Sequence, residues 1–252
     1  MGEMTFDSFV IPVKMGIQSS IKDNLFPIFC VDCGREGETW CENCRRQFDV
    51  AGILFCPVCS LQADNGKTHS TCARANWHLD GLVSLVPYRD NSPLTRLIKQ
   101  LKYHFVSDNA DWMADILRIW LAFNSERVKF IFNNRIIVPV PLHRRRLRER
   151  GFNQAELIAE ALRLVLSERG IEDNVSTKLE RSRYTSAQAR LHEEAREKNM
   201  LSAFKWPDQE VCPRAVVLVD DVYTTGATMN MAAGALKAVG AQSVWGFTLL
   251  RG

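Results

Sequence analysis

Hydrophobic and polar positions along the chain follow two periods, one typical of strands and one typical of helices. The run Leu82 to Pro87 is short and largely apolar, whereas Leu94, Leu97, Ile98 and Leu101 recur at the spacing of one helical face. Similar patterns predict a helix over 108–123, a strand over 135–140 that Pro141 stops, a helix over 152–168 that Gly170 ends, a strand over 215–219, a helix over 228–238 and a strand over 243–250. Because strands and helices alternate, we predict an α/β fold with a mostly parallel sheet and helices on both faces.

A different kind of segment precedes this alternation. Residues 30–72 are rich in turn-forming residues and contain too few aliphatic side chains for a core of their own, so something other than burial has to stabilise them. We therefore predict three parts: an N-terminal arm or helix over 1–24, a small cysteine-rich module over 25–76 and a larger α/β domain over 77–252.

Composition narrows the class of protein. The chain has 252 residues, of which 46% are hydrophobic and 24% charged, with a net charge of +3, which is typical of a globular protein and not of a disordered or membrane-embedded one. No window reaches the roughly 18 apolar residues of a membrane helix, and the first residues lack the pattern of a signal peptide. We expect a cytoplasmic protein without membrane insertion.

Cysteines carry the first candidate chemistry. Seven of the eight lie between Cys30 and Cys72, largely as C-x-x-C pairs, which favours metal binding over disulfides. Their spacing divides the candidate ligands into two sets of four, one with Cys30, Cys33, Cys41 and Cys44 and one with Cys56, Cys59, His69 and Cys72. Soft ligands favour zinc, and neither set leaves an open coordination position, so we expect one or two structural Zn²⁺ ions in the 25–76 module.

Spacing leaves the pairing of these ligands open. His78 is a rival to His69 for the second set, and ligands from the two sets can interleave. Either set can also consist of reduced thiols without metal.

An acidic pair and a hydroxyl-rich turn form the second candidate site. Val216 to Val219 is an unbroken apolar run, as expected of a central parallel strand, and Asp220 and Asp221 follow it. The residues that open the next helix are Thr224, Thr225, Gly226, Ala227 and Thr228. Backbone N–H groups at such a turn can bind a phosphate, while adjacent carboxylates can accept hydrogen bonds from ribose hydroxyls or help to hold Mg²⁺. Either fragment alone is equally explained as a helix cap or a common turn.

Together, these two fragments resemble a known signature. The string VVLVDDVYTTGAT at 216–228 resembles the phosphoribosyl pyrophosphate signature of type I phosphoribosyltransferases. The cysteine pairs, LIKQLKYH at 97–104, VPVPLHRRRLRERGFNQAELIA at 138–159 and RSRYTSAQARLHEEAREKNMLSAF at 181–204 narrow the resemblance to the ComF/GntX-like family. Its members join an N-terminal zinc module to such a domain. The resemblance covers nearly the whole chain after residue 24 and implies a type I phosphoribosyltransferase fold and an association with uptake or use of external DNA.

The resemblance also implies residue roles. Asp220 and Asp221 would contact the ribose as the catalytic candidates, and the turn over 224–228 would hold the 5′-phosphate. The loop after the 136–140 strand would face pyrophosphate, with Pro141, Leu142, His143, Arg144 and Arg150 as the candidates. Since pyrophosphate is highly anionic, the five arginines between His143 and Arg150 fit this role, although the same stretch can be a nucleic-acid surface or simply a solvated patch.

A polar segment over 181–198 corresponds to the hood loop that closes over the substrate in the wider superfamily. Its lid candidates are Arg181, Arg183, Arg190 and Lys198. A lid would exclude water from a cation-like transition state. The alternative is a surface helix from Ser186 to Met200 with ordinary Glu/Arg pairs.

These features support three hypotheses about function. The first is Mg²⁺-dependent transfer of a phosphoribosyl group from phosphoribosyl pyrophosphate to an acceptor that the sequence does not identify. The second keeps the pocket for phosphoribosyl pyrophosphate or a nucleotide but has no turnover, as in a nucleotide-sensing adaptor. The third uses the zinc module and the basic stretch to bind DNA or a DNA-uptake protein. Tyr223, within the signature, can stack near a ligand or pack on the sheet.

Overall fold

The computed structural model describes residues 27–50, 52–59, 61–63, 66–72, 76–103, 111–171, 174–181 and 203–252. The predicted arm over 1–24 lies outside the described residues. So do Arg183, Arg190, Lys198 and the alternative helix over 186–200.

Within the described residues, five strands form the central sheet. In chain order they are β1 (Ile53–Phe55), β2 (Gly81–Pro87), β3 (Ile136–Pro139), β6 (Ala215–Tyr223) and β7 (Ser243–Arg251), while β4 (Glu180–Arg181) and β5 (Phe204–Lys205) form a separate hairpin-like pair. The spatial order is β1-β2-β7-β6-β3, and every pair is parallel except β1 with β2. The predicted α/β fold with a mostly parallel sheet is confirmed, and the architecture is consistent with a type I phosphoribosyltransferase-like fold.

Helices cover both faces of this sheet. They are α1 (Glu42–Gln47), α2 (Pro93–Tyr103), α3 (Asp111–Phe123), α4 (Ser125–Phe132), α5 (Arg144–Arg150), α6 (Gln154–Ser167) and α7 (Ala227–Ala238), with a 3₁₀ turn at Ser70–Cys72. Three of them depart from the sequence pattern: α1, which lies in the turn-rich segment, α4 and α5. The cationic stretch predicted as a loop is the helix α5, which Gly151 ends in the left-handed region at φ 78°. The short helix α4 was not predicted; it starts directly after the buried Asn124.

The side chains of β6 alternate between two cores. Val217 and Val219 face the core that contains α3 and α6, whereas Val216 and Leu218 face the core that contains α7, and all four are fully buried. This double coverage explains why β6 has an unbroken apolar run. The strand and α7 therefore form a rigid base for the turn between them.

The cysteine-rich segment packs against the α/β part of the chain through several contacts. Its strand β1 adds an antiparallel edge to the central sheet by pairing with β2. Its Trp40, which is 1% exposed, packs on Trp112 of α3 with ring centroids 6.2 Å apart. Among the described residues, no helix combines the length and the apolar character needed to cross a membrane.

Candidate functional site

The acidic pair lies near the carboxyl end of β6. The strand continues to Tyr223, four residues beyond the predicted end, because its pairing with β7 extends to Arg251. The N–H of Asp221 donates to Oδ1 of Asp220 at 2.9 Å. Oδ2 of Asp221, which is nearly buried, lies 2.6 Å from Nζ of Lys102 at the end of α2. One carboxylate is thus neutralised by a lysine, while the other borders the turn.

The electrostatics of the two aspartates differ. Burial, and then the adjacent Asp221 carboxylate, raise the pKa of Asp220 to about 7. The hydrogen bond from the N–H of Asp221, and then the charges of Lys102 and Arg181, act in the opposite direction but do not outweigh these effects. At neutral pH Asp220 is therefore close to its point of half-protonation, so it can donate or accept a hydrogen bond.

The hydroxyl-rich turn connects β6 to α7. Gly226 is the N-cap of α7 in the left-handed conformation, at φ 74°, and Thr224, Thr225 and Ala227 are exposed. A cavity of about 50 Å³ is lined by the turn, including Thr228, and by Asp220. Since the first N–H groups of a helix have no partner within it, this end of α7 presents donors and partial positive charge beside the acidic pair.

A larger pocket lies between the segment after β3 and the strand β4. Its volume is about 410 Å³, and it is lined by Pro141, Leu142, Arg144, Leu179, Glu180 and Arg181. The guanidinium of Arg181 also stacks over the ring of Phe204, 5.3 Å from its centroid. This pocket joins three of the predicted pyrophosphate-loop residues to the one lid candidate that the structure describes.

The other two pyrophosphate-loop candidates, His143 and Arg150, make hydrogen bonds within or next to α5. The side chain of His143 caps α5 by accepting from the N–H of Arg145. Arg150 donates to Oε1 of Gln154 at 3.1 Å. Neither of them lines the 410 Å³ pocket.

The cysteine-rich module brings its ligands together in two clusters. Cys30, Cys33, Cys41 and Cys44 form the first, and Cys56, Cys59, His69 and Cys72 form the second; in each, the candidate ligand atoms lie within 4.8 Å of one another. His78 belongs to neither, and its N–H donates to Oδ1 of Asn230 on α7. The ligands are therefore grouped as the order of the pairs along the chain predicts, and ligands of the two sets do not interleave.

The geometry of both clusters fits a tetrahedral zinc ion. Two sulfurs bound about 2.3 Å from such an ion lie about 3.8 Å apart. The sulfurs of Cys33 and Cys41 are 3.7 Å apart, and Sγ of Cys59 is 3.4 Å from Nδ1 of His69. Each cluster could therefore hold one structural zinc ion.

The pKa values of the cysteine thiols also favour metal binding by the two clusters. Burial opposes ionisation of Cys30, but backbone N–H groups, first that of Cys41, outweigh it and lower the pKa of Cys30 to about 6. A similar balance lowers the pKa of Cys56. Burial and then the neighbouring cysteines raise the pKa of Cys44 and Cys72. A bound cation removes that repulsion, so metal binding and loss of the remaining protons go together.

Known proteins resemble the chain over most of its length. Competence protein F of Haemophilus influenzae is 28% identical over 237 residues, which cover 88% of this chain and 97% of that protein. DNA utilization protein YhgH of Escherichia coli (strain K12) is 32% identical over 212 residues, which cover 84% and 89%. The chain belongs to the ComF/GntX-like family. Competence protein ComFC of Bacillus subtilis is 29% identical over 222 residues, which cover 85% of both chains. No model of a known protein family matches the chain.

Three residues near the site in this ComF/GntX-like chain were missed or left open by the sequence analysis. Lys102 lies in the LIKQLKYH segment, but nothing local shows that it reaches Asp221. Arg251, only 8% exposed, donates to the carbonyls of Tyr223 and Thr224. The sequence signal that could have pointed to Arg251 is a charged residue at the end of a largely apolar strand. Tyr223 is buried and lines the 50 Å³ cavity at the turn but not the 410 Å³ pocket.

We expect the purified protein to bind two Zn²⁺ per chain, one in each cluster. Cys33→Ser and Cys59→Ser should each lose one ion, because each removes a ligand from a different cluster. Elemental analysis by mass spectrometry, with protein quantified by amino-acid analysis, measures the ratio. Cys212→Ser, which changes a cysteine outside both clusters, is the matched control and should keep both ions. A Cys59→Ser protein that retains both ions would contradict the assignment.

Asp220 should make folding stability depend on pH. Its pKa is raised on folding, from 3.8 to about 7, so the folded chain keeps a proton that the unfolded chain releases. Stability from this group is therefore fully present at low pH and is lost as pH rises towards the folded pKa. Asp220→Asn lacks this loss, so its free energy of unfolding relative to the original protein should increase between about pH 5 and pH 7 and level off above pH 7.

Urea denaturation of zinc-loaded protein at several pH values measures this difference. Asp90→Asn is the matched control, since the Asp90 carboxylate is exposed and paired with Lys99. A difference between Asp220→Asn and the original protein that stays constant over this pH range would refute the assignment.

Proposed function

We propose that this protein binds phosphoribosyl pyrophosphate, together with Mg²⁺, at the carboxyl end of β6 and transfers its phosphoribosyl group to an acceptor. The observation that carries the proposal is the placement of the acidic pair and the phosphate-sized turn in one strand-turn-helix unit, beside an arginine-lined pocket. The carboxyl edge of a parallel sheet is where ligands bind in open α/β folds.

Each part of the donor has a complementary group in this arrangement. The 5′-phosphate would accept hydrogen bonds from N–H groups and hydroxyls of the turn over 224–228. The vicinal ribose hydroxyls would meet Asp220 and Asp221, of which one can donate and the other accept. The pyrophosphate would lie in the 410 Å³ pocket, where Arg144 and Arg181 supply positive charge.

Arg181 connects the two halves of this proposed site. It lines the pocket, and its charge opposes the upward shift in the pKa of Asp220, so it is electrostatically coupled to the acidic pair. Pyrophosphate and ribose bound at these two places would therefore be neighbours, as they are in a single phosphoribosyl pyrophosphate molecule.

The chemistry would proceed by substitution at the ribose C1. The bond from C1 to a pyrophosphate oxygen breaks, pyrophosphate leaves with the electron pair, and the acceptor forms a bond to C1 with loss of its own proton. Mg²⁺ bound with the pyrophosphate would neutralise the charge of the leaving group. The arginines stabilise the same charge from the protein side.

The relatives suggest where this activity is used. Two are named competence proteins and one a DNA utilization protein. We propose that this chain likewise takes part in the uptake or use of DNA, with a nucleotide-type ligand at β6 and DNA or a DNA-uptake protein as partner.

A second candidate is direct binding of single-stranded DNA through α5. Arg144 and Arg148 are exposed on this helix, and neither has an ion-pair partner among the described residues. A cationic helix of this kind can bind phosphates without regard to sequence.

One pair of variants separates these candidates. Arg144→Met should weaken binding of phosphoribosyl pyrophosphate at least about tenfold, because it removes a charge-assisted contact. It should leave the affinity for ribose 5-phosphate nearly unchanged, because that ligand has no pyrophosphate. Arg148→Met, on the same helix but outside the pocket, is the matched control and should bind both ligands normally. Isothermal titration calorimetry measures the affinity of each zinc-loaded variant for each of the two ligands, with Mg²⁺ present in the buffer.

Other outcomes lead to different conclusions. Equal weakening of single-stranded DNA binding by Arg144→Met and Arg148→Met, with no binding of phosphoribosyl pyrophosphate, would replace the proposal by the DNA-binding candidate. Tight binding of phosphoribosyl pyrophosphate, without release of labelled pyrophosphate in the presence of cell metabolites, would support a sensor instead of a transferase.

A further inference from the structure

A buried hydrogen bond joins the second cysteine cluster to the turn over 224–228, called the phosphate turn below. Tyr223, the last residue of β6, is 2% exposed, and its hydroxyl donates to the carbonyl of Pro57 at 2.8 Å. Pro57 lies between Cys56 and Cys59, two candidate ligands of the second cluster. The hydrogen bond therefore runs from the metal-binding knuckle to the residue directly before the turn.

The Tyr223 side chain also shapes the turn itself. A Cβ on Gly226 would overlap the Tyr223 hydroxyl, and the φ of 74° at this glycine is one that other residues rarely adopt. The hydroxyl thus occupies the space that a side chain would need, and the turn backbone packs directly on it. A displacement of Tyr223 towards the turn would therefore move Gly226, the N-cap of α7.

Arg251 forms a second connection along the same route. Its guanidinium lies 4.9 Å from the ring centroid of Tyr223 and 5.7 Å from that of Phe55, the residue before Cys56. It also donates to the carbonyl of Thr224 at 2.9 Å. The strand that leads into the second cluster and the start of the phosphate turn are therefore held by the same side chain.

The first cluster has a different neighbour. Its Trp40 packs on Trp112, and Arg45 forms an ion pair with Asp115 at 3.0 Å, so this cluster is docked on α3. The two clusters consequently offer an internal comparison, since only the second is joined to the turn through Tyr223.

We propose that Tyr223 is a positioning residue through which a metal ion in the second cluster holds the phosphate turn in its binding conformation. A coordinated knuckle fixes the Pro57 carbonyl, which fixes Tyr223 and, through it, Gly226. The proposal deepens the proposed function and rests on it for the ligand of the turn. Because coupling between two binding equilibria is reciprocal, a phosphate ligand at the turn also raises the affinity of the second cluster for its metal ion.

Hydrogen exchange of the zinc-loaded protein without ligand tests the connection. The amide of Asn230 donates to the carbonyl of Gly226 at 2.8 Å and reports on the turn. Tyr223→Phe keeps the ring and every metal ligand but removes the hydroxyl, so exchange at this amide should rise about fivefold, the effect of one net hydrogen bond. Tyr88→Phe, whose hydroxyl donates to the exposed Asp90 at 3.1 Å, is the matched control and should leave exchange unchanged.

Cluster variants provide the second arm. Cys59→Ser should increase exchange at Asn230 at least as much as Tyr223→Phe does, whereas Cys33→Ser should not. Unchanged exchange in Tyr223→Phe with both metal ions bound would overturn the proposal, and so would equal effects of the two cysteine variants. Since Tyr223→Phe retains all ligands, the test stands even if Cys59→Ser does not fold.

These measurements separate the inference from the proposed function. They contain no ligand, so normal exchange in Tyr223→Phe would reject the connection while leaving the binding titrations untouched. If exchange responds as expected but neither phosphoribosyl pyrophosphate nor ribose 5-phosphate binds, the metal still positions the turn, and it is the proposed ligand that is wrong.

Discussion

Two adjacent carboxylates at the end of a buried strand are the constraint on which the site depends. Burial and mutual repulsion make the double negative charge costly, and the protein offsets this cost in two ways. Lys102 neutralises Asp221 at 2.6 Å, and the pKa of Asp220 is raised to about 7 so that a proton is available near neutrality. The pair consequently differs from an open, fully charged divalent-cation site and is suited to hydrogen bonds with vicinal hydroxyls.

The cysteine-rich module contributes to this site as well as to its own stability. It supplies the edge strand β1, and its second cluster contacts the phosphate turn through Pro57 and Tyr223. We expect a module with so few aliphatic side chains to depend on metal for its fold, and the proposed coupling makes the position of the Pro57 carbonyl depend on metal too. In this account the zinc module and the α/β domain are parts of one site. This explains physically why the two units occur in the same chain.

Local patterns predicted the elements of the fold, while contacts between distant residues could not be predicted. The apolar run Val216 to Val219 and the cysteine pairs are local signals, and the sheet and the two clusters follow from them. The three-residue strand β1 is too short to show a period. Arginines on every side of α5 look like a solvated loop in sequence, although they form a helix. The ion pair from Lys102 to Asp221 and the hydrogen bond from Tyr223 to Pro57 link residues more than 100 positions apart, which no single-sequence pattern reveals.

The central claim is that the end of β6 binds a phosphorylated ribose. A crystal structure of the zinc-loaded protein with ribose 5-phosphate tests it most directly. The account predicts electron density for the phosphate against the backbone N–H groups of the 224–228 turn, with the two ring hydroxyls within hydrogen-bond distance of Asp220 and Asp221. Density for the phosphate on the arginines of α5, with the acidic pair still bridged only to Lys102, would contradict it.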